Sequence, residues 1–113
     1  MSDCIFCQIG EKKIPAKLVY EDDAIFAFED LHPQAPTHIL LCPRKHIESL
    51  ADAAAEDAPL LGRLLLVGAQ IARDRKLTDG YRTVFNNGRG AGQSVFHLHL
   101  HVLGGRVMRW PPG

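Results

Sequence analysis

The stretch SVFHLHLHVLGG, residues 94–105, decides how this chain is read. His97, His99 and His101 alternate there with Leu98, Leu100 and Val102, so half of the chain's six histidines fall on every second residue of one short segment. Successive side chains of a strand point to opposite faces, which sets the three imidazoles on one face and the leucines and valine in a core. Histidines two apart would stand roughly 6.6–6.8 Å from one another, and the row would span about 13 Å. That is too long for all three to ligate one metal without a bend, but it suits lining a cleft with donors. A merely solvated face would be served by threonine, lysine or glutamate, so the row points to a site.

Outward from this stretch, the chain reads as short strands interrupted by one long helix. SDCIFCQIG predicts a brief N-terminal helix with Ser2 or Asp3 as N-cap and a stop at Gly10. AKLVYE and AIFAFED read as strands joined at Asp22 and Asp23, and HILLCP as a buried strand ending at Pro43, after an irregular connection broken by Pro33 and Pro36. From about Asp57 through Lys76 the apolar residues Leu61, Leu64, Leu65, Gly68, Ile71 and Ala72 recur at spacings of three and four, the mark of an amphipathic helix. YRTVFNN then reads as a strand, GRGAGQ as a glycine-rich loop and SVFHLHLHVL as the last strand. The expectation is an α+β domain over residues 1–113: a mainly antiparallel five-stranded sheet, the long helix on one face, and the other face available for a site. The tail VMRWPPG cannot continue a regular element through Pro111 and Pro112, yet carries Met108 and Trp110, which suggests docking onto a second subunit.

Composition narrows the function. The 113 residues carry 13 basic and 13 acidic side chains, so no excess of positive field draws the chain to nucleic acid or an anionic membrane. No run approaches the roughly 18 apolar residues of a membrane helix, and the N-terminus lacks the pattern of a signal peptide, which leads to the expectation of a soluble, cytoplasmic protein. Cys4, Cys7 and Cys42 are too few, and odd in number, for a disulfide framework.

Two chemistries suit the histidine row. One is a zinc hydrolase with a carboxylate base, although no Asp or Glu follows Gly80 in the chain. The other uses one neutral imidazole as nucleophile while its neighbours donate to an anionic substrate, for which phosphorus is a suitable electrophile. The preceding NNGRGAGQS favours the second: Gly88, Gly90 and Gly92 let backbone N–H groups approach an anion, and Gln93 and Ser94 add side-chain donors.

HLHLHVL resembles the signature of the histidine triad (HIT) superfamily of nucleotide hydrolases and transferases, and the likeness extends over nearly the whole chain. IPAKLVYEDD, DLHPQAPTHIL, GYR, and GGR with the terminal WPPG look like the Hint branch, the purine nucleoside phosphoramidases. The Fhit branch usually has Pro-Arg after its triad, where this chain has Gly104 and Gly105. The resemblance implies hydrolysis of the P–N bond of purine nucleoside 5′-phosphoramidates, including aminoacyl and lysyl adenylates, through a covalent nucleotidyl-His99. His101 and Ser94 would hold the α-phosphate, His97 would orient His99 through its carbonyl, and His38 would complete the network. Asp30 would accept from the ribose hydroxyls. Phe6, Ile9, Ile14, Leu31, Leu40 and Val95 would wall the nucleotide, with Asn86, Gly92 and Gln93 on the phosphate side. A homodimer with one continuous sheet is implied, and no cofactor for the chemistry itself. The alternatives are a dinucleoside polyphosphate hydrolase or phosphorylase of the same superfamily, and a nucleotide-binding interaction module.

CIFC departs from the better-known eukaryotic members of that branch. Cys-x-x-Cys is half of a common zinc site, and some relatives complete it with two histidines, which here would be His46 and His97. The alternative is that Cys4 and Cys7 are small buried residues of a short helix, as Cys42 would be of a strand.

Overall fold

The computed structural model describes residues 3–113 and shows the expected α+β architecture. Its elements are α1 (Ile5–Gly10), β1 (Leu18–Glu21), β2 (Ile25–Glu29), β3 (Thr37–Pro43), α2 (Ala58–Asp74), β4 (Tyr81–Val84) and β5 (Leu100–Gly104). The five strands form one sheet in the order β1-β2-β3-β5-β4, every neighbouring pair antiparallel. The Asp22–Asp23 turn between β1 and β2 is fixed by Asp22, whose Oδ1 accepts from the amides of Ala24 and Ile25 at 2.8 and 2.9 Å.

Strand alternation sorts the apolar residues into two clusters. Ile25, Ala27, Ile39, Leu41, Leu100 and Val102 face Leu64 and Ile71 of α2. The helix comes close at Gly68, where an added Cβ would lie 3.3 Å from both Leu100 and Val102. On the opposite side Phe26, Phe28, Leu40 and Cys42 pack with Phe6 and Ile9 of α1. The second face is therefore not open, as the sequence suggested, but half roofed by α1.

Three local expectations are corrected. Asp3 does not cap α1; Cys4 is the N-cap, its sulfur accepting from the Cys7 amide at 3.4 Å, and Ser2 lies outside the described residues. The strand foreseen over residues 81–87 stops at Val84. The last strand begins only at Leu100, so His97 and His99 precede it and His101 alone lies within it. The β3–β5 register pairs Leu41 with Leu100, and continuing it would set Leu98 opposite Pro43, which has no N–H to give. The Leu98 amide donates instead to Ile47 O at 2.6 Å. Short 3₁₀ turns that the sequence did not announce cover Leu50–Asp52, Ala55–Asp57 and Arg89–Ala91.

Candidate active site

The histidines gather on the α1 side of the sheet, around Phe6. The Phe6 ring meets His99 edge-on at a centroid separation of 5.0 Å and His97 at 6.2 Å, while the His99 and His101 rings are 5.0 Å apart. His38, on β3, lies beside them with Nε2 2.9 Å from His101 Nδ1. Asp30, just after β2, stands 3.5 Å from His38 Nε2 through Oδ2, while its Oδ1 accepts from the His32 amide at 2.8 Å.

Hydrogen bonds to backbone groups of known polarity settle each ring's tautomer. The Gln34 amide donates to His38 Nδ1 at 3.0 Å, so a neutral His38 carries its proton on Nε2. Nε2–H then donates to His101 Nδ1, which places the His101 proton on Nε2. His101 Nε2 is buried and meets no acceptor among the described residues, so this N–H is a donor awaiting one. His99 Nδ1–H donates to the His97 carbonyl at 2.7 Å, which leaves the lone pair on Nε2. His97 Nε2–H donates to Pro43 O at 2.7 Å, which leaves its lone pair on Nδ1. One strand-like row thus presents a bare nitrogen at His99 and an N–H at His101.

Burial keeps these rings neutral. It lowers the pKa of His38, His97 and His99 below the ordinary histidine value, against the opposing pull of Asp30 on His38 and His99 and of the Pro43 carbonyl on His97. His101 is pushed down to about 4 by desolvation, then by its neighbours His99 and His38. A neutral imidazole at physiological pH is what a nitrogen nucleophile requires.

The residues foreseen around a nucleotide divide into those the fold assembles and those it uses otherwise. Phe6, Ile9 and Leu40 are buried in the α1-side cluster, with Ile14 and Val95 packed on its border. Leu31, 89% exposed, stands outside it, and Asn86 is half-buried beyond the end of β4. Ser94 is exposed and lines a shallow hollow of about 380 Å³ with Cys4, Val95 and Phe96. Gln93 does not extend free donors: it is 4% exposed, its Nε2 donates to Glu48 O and Val95 O at 2.7 and 3.1 Å, and its Oε1 accepts from Gly88 N at 2.8 Å. The amides of Ala91, Gly92 and Gln93 are likewise spent on Gly88 O and Arg89 O within the loop. Gln93 is the staple of this loop rather than its lining. Sequence reasoning missed the roles of Gln34 and Pro43, because a backbone amide or carbonyl leaves no mark in the residue code. A cavity of about 600 Å³ bordered by Lys76, Thr78, Tyr81, Arg106 and Met108 contains none of the histidines, so chemistry rather than cavity size marks the site.

A second constellation shares His97. Cys4, Cys7, His46 and His97 each offer one ligand atom, all within 4.8 Å of one another. His97 Nδ1 lies 3.4 Å from both sulfurs and 3.1 Å from His46 Nδ1, and the Cys7 sulfur is 3.4 Å from His46 Nδ1. A tetrahedral zinc with bonds of about 2.3 Å to sulfur and 2.05 Å to nitrogen requires ligand separations of about 3.6 Å for S–N and 3.3 Å for N–N. These four separations match that geometry to within a few tenths of an ångström, and the His97 Nε2–H bond to Pro43 O is the outer contact that a ligating imidazole usually has. Asp30, His38 and His101 also cluster, but the His38–His101 contact is accounted for as a hydrogen bond.

A family model described as the HIT domain matches residues 11–108. The chain belongs to the HIT domain family. It is 53% identical over 111 residues to an uncharacterized HIT-like protein of Synechocystis, covering 98% of this chain and 97% of that one. It is 52% identical over 104 residues to Protein HitA of Neisseria gonorrhoeae, covering 92% and 97%. The crystal structure of a HIT family hydrolase from Legionella pneumophila superimposes with a TM-score of 0.97 at 49% identity, over 98% of this chain and all of that one. A histidine triad protein from Clostridium difficile gives 0.93 at 41% identity, over 96% of each chain.

Proposed function

We propose that this HIT-family chain is a purine nucleoside phosphoramidase of the Hint branch. The observation that carries the reading is the His99 tautomer: Nδ1–H is committed to the His97 carbonyl, which leaves a neutral Nε2 lone pair on a ring 5.0 Å from that of His101, whose Nε2–H is unmatched. His99 Nε2 attacks the α-phosphorus, the Nε2–P bond forms as the P–N bond breaks, and the amine leaves with a proton taken from solvent. His101 Nε2–H donates to a phosphoryl oxygen where charge gathers, with the exposed Ser94 hydroxyl as a second donor. Water then attacks the phosphorus, a P–O bond forming as the Nε2–P bond breaks and the water's proton returning to solvent, which releases the nucleoside 5′-monophosphate and restores neutral His99. Phe6, Ile9, Ile14, Leu40 and Val95 supply an apolar wall for the purine, Leu31 its outer rim, and Asp30 an acceptor for the ribose hydroxyls.

The turn after β5 supports the Hint assignment. Gly105 has φ +92° and an added Cβ would meet Pro36 at 2.9 Å, so the second glycine of GGR is fitted to this backbone. The proposed assembly is a homodimer: β4 is an edge strand with Tyr81 exposed, and Val107 and Trp110 project from the tail, 87% and 84% exposed. Cys4, Cys7, His46 and His97 would hold a structural zinc, which supplies cross-linking and no step of the reaction. The proposed location is the cytoplasm, where thiolate ligands stay reduced.

A panel of adenosine and guanosine phosphoramidates against diadenosine polyphosphates, ranked by kcat/KM, tests the reading. Phosphoramidates should lead by at least about a hundredfold, some 2.7 kcal/mol of transition-state discrimination. A lead by the dinucleotides would transfer the protein to the other branch.

A further inference from the structure

We propose that the hollow beside Ser94 seats the amine leaving group of the substrate, and that Arg89, stacked on its Phe96 wall, selects amines bearing a carboxylate. This rests on the phosphoramidase reading and deepens it. The hollow, about 380 Å³, is lined by Asp3, Cys4, Ile5, Ser94, Val95 and Phe96. Two of these tie it to the proposed nucleotide site: Ser94 is the second phosphate donor, and Val95 borders the apolar cluster of Phe6 and Leu40. An α-phosphorus held at Ser94 carries two groups, the nucleoside and the amine. The nucleoside takes the Phe6 wall and Asp30. That leaves the hollow, whose Asp3, Ile5 and Phe96 have no part in holding the nucleoside, for the amine.

Arg89 is exposed, and its guanidinium lies over the Phe96 ring, 5.0 Å from the centroid. It meets no carboxylate and donates no hydrogen bond among the described residues, whereas Arg44, Arg63 and Arg75 engage Glu21, Asp22 and Glu29 respectively. The planar fork therefore keeps its donors for a ligand, and a carboxylate is a group it matches, with two parallel N–H···O bonds. Its mounting is held at both ends. The backbone around it is closed by Ala91 N to Gly88 O at 3.2 Å and Gly92 N to Arg89 O at 3.0 Å, and Gln93 fastens the loop to Glu48 O. Phe96 restrains the guanidinium, so less side-chain freedom is lost when an anion docks. Asp3 limits the charge: it puts one negative group in the same lining, which suits a leaving group with a single carboxylate better than a chain of phosphates. An amino acid joined to phosphorus through its nitrogen has that chemistry.

The test compares the adenosine 5′-phosphoramidates of alanine and of alanine methyl amide, which differ in the carboxylate alone. Wild type should favour the acid by about tenfold in kcat/KM, and the preference should shrink as salt screens it. In Arg89→Ala the acid-to-amide ratio should fall to about one, and in Arg89→Glu it should invert. A general loss of fold or of catalysis slows both substrates alike and leaves the ratio where it was, so the ratio reports contact with the carboxylate. Wild-type protein with no preference for the acid, or Arg89→Ala with the wild-type ratio, would overturn the proposal. So would an Arg89→Ala protein impaired on diadenosine tetraphosphate alone, which would make a phosphate chain the anion that Arg89 meets. The same pair is titrated by calorimetry into His99→Ala protein, where binding is read without turnover. Discrimination kept in binding while wild type cleaves neither compound would uphold the role of Arg89 and remove the phosphoramidase reading.

Discussion

Replacing His99 with alanine separates chemistry from folding. The side chain makes one hydrogen bond, to His97 O at 2.7 Å, and an edge contact with Phe6 at 5.0 Å, and its ring lies 5.0 Å from that of His101. A net hydrogen bond contributes about 0.5–1.5 kcal/mol and an aromatic pair about as much, so the variant should lose about 1–3 kcal/mol of stability. Even a domain starting at about 5 kcal/mol would keep about 2 kcal/mol and remain more than nine-tenths folded. Loss of a covalent nucleophile, by contrast, should lower kcat by at least about 10⁴, which at 1.36 kcal/mol per decade is about 5 kcal/mol of transition-state stabilisation. Unfolding of a few per cent of molecules cannot imitate that. The assay is steady-state cleavage of an adenosine phosphoramidate, with thermal melting and AMP calorimetry on the same preparations. Rapid quench of wild type should also yield a nucleotidyl adduct that maps to His99. A His99→Ala enzyme retaining more than about a tenth of kcat, or an adduct on His97 or His101, would refute the nucleophile assignment.

Acid should remove both activity and stability. Protonation takes the attacking lone pair from His99, whose pKa burial holds below 6.5, so kcat/KM should be flat near neutrality and fall only below that pH. The buried neutral rings likewise contribute stability that is complete above about pH 6.5 and lost as pH falls, toward about 4 for His101, so Tm should drop across that window; an acid limb centred above neutrality would contradict both. Gln93→Ala removes three hydrogen bonds from the loop before the triad and should cost about 2–4 kcal/mol in urea denaturation, with an unchanged midpoint counting against its role as a staple. Deleting residues 108–113, which include the 84% exposed Trp110, should alter preference among amine leaving groups more than Tm, and unchanged specificity would exclude the tail from the site.

Much of this was legible in the residue pattern because it rests on period. AIFAFED and HILLCP read as strands and became β2 and β3, and spacings of three and four located α2 within two residues at each end. The three histidines lie on the α1 side, as alternation required, although only His101 belongs to the ladder. The resemblance named His46 and His97 as companions of the Cys-x-x-Cys pair, and the fold brings these four side chains within reach of one another.

What failed was whatever depended on a partner distant in the chain. Whether SVFHLH is strand depends on what lies opposite, and opposite it lies Pro43, which cannot donate. Gln93 read as a donor to substrate because a glutamine amide in a glycine-rich loop is free until Glu48 O, 45 residues earlier, is brought against it. Of the loop amides read as an anion cradle, Gly88 N donates to Gln93 Oε1 and Gly92 N to Arg89 O.

By itself, then, the sequence determined the α+β class, the faces of the sheet and the residue types of the site, since these follow from local period and composition. Only the tertiary structure decided which nitrogen of His38, His97, His99 and His101 holds its proton. That depends on four groups contributed by separate segments: the Gln34 amide, the Pro43 carbonyl, the His97 carbonyl and the His38 ring. A proton moves to whichever nitrogen faces an acceptor, and no spacing along the chain records where the acceptors will be.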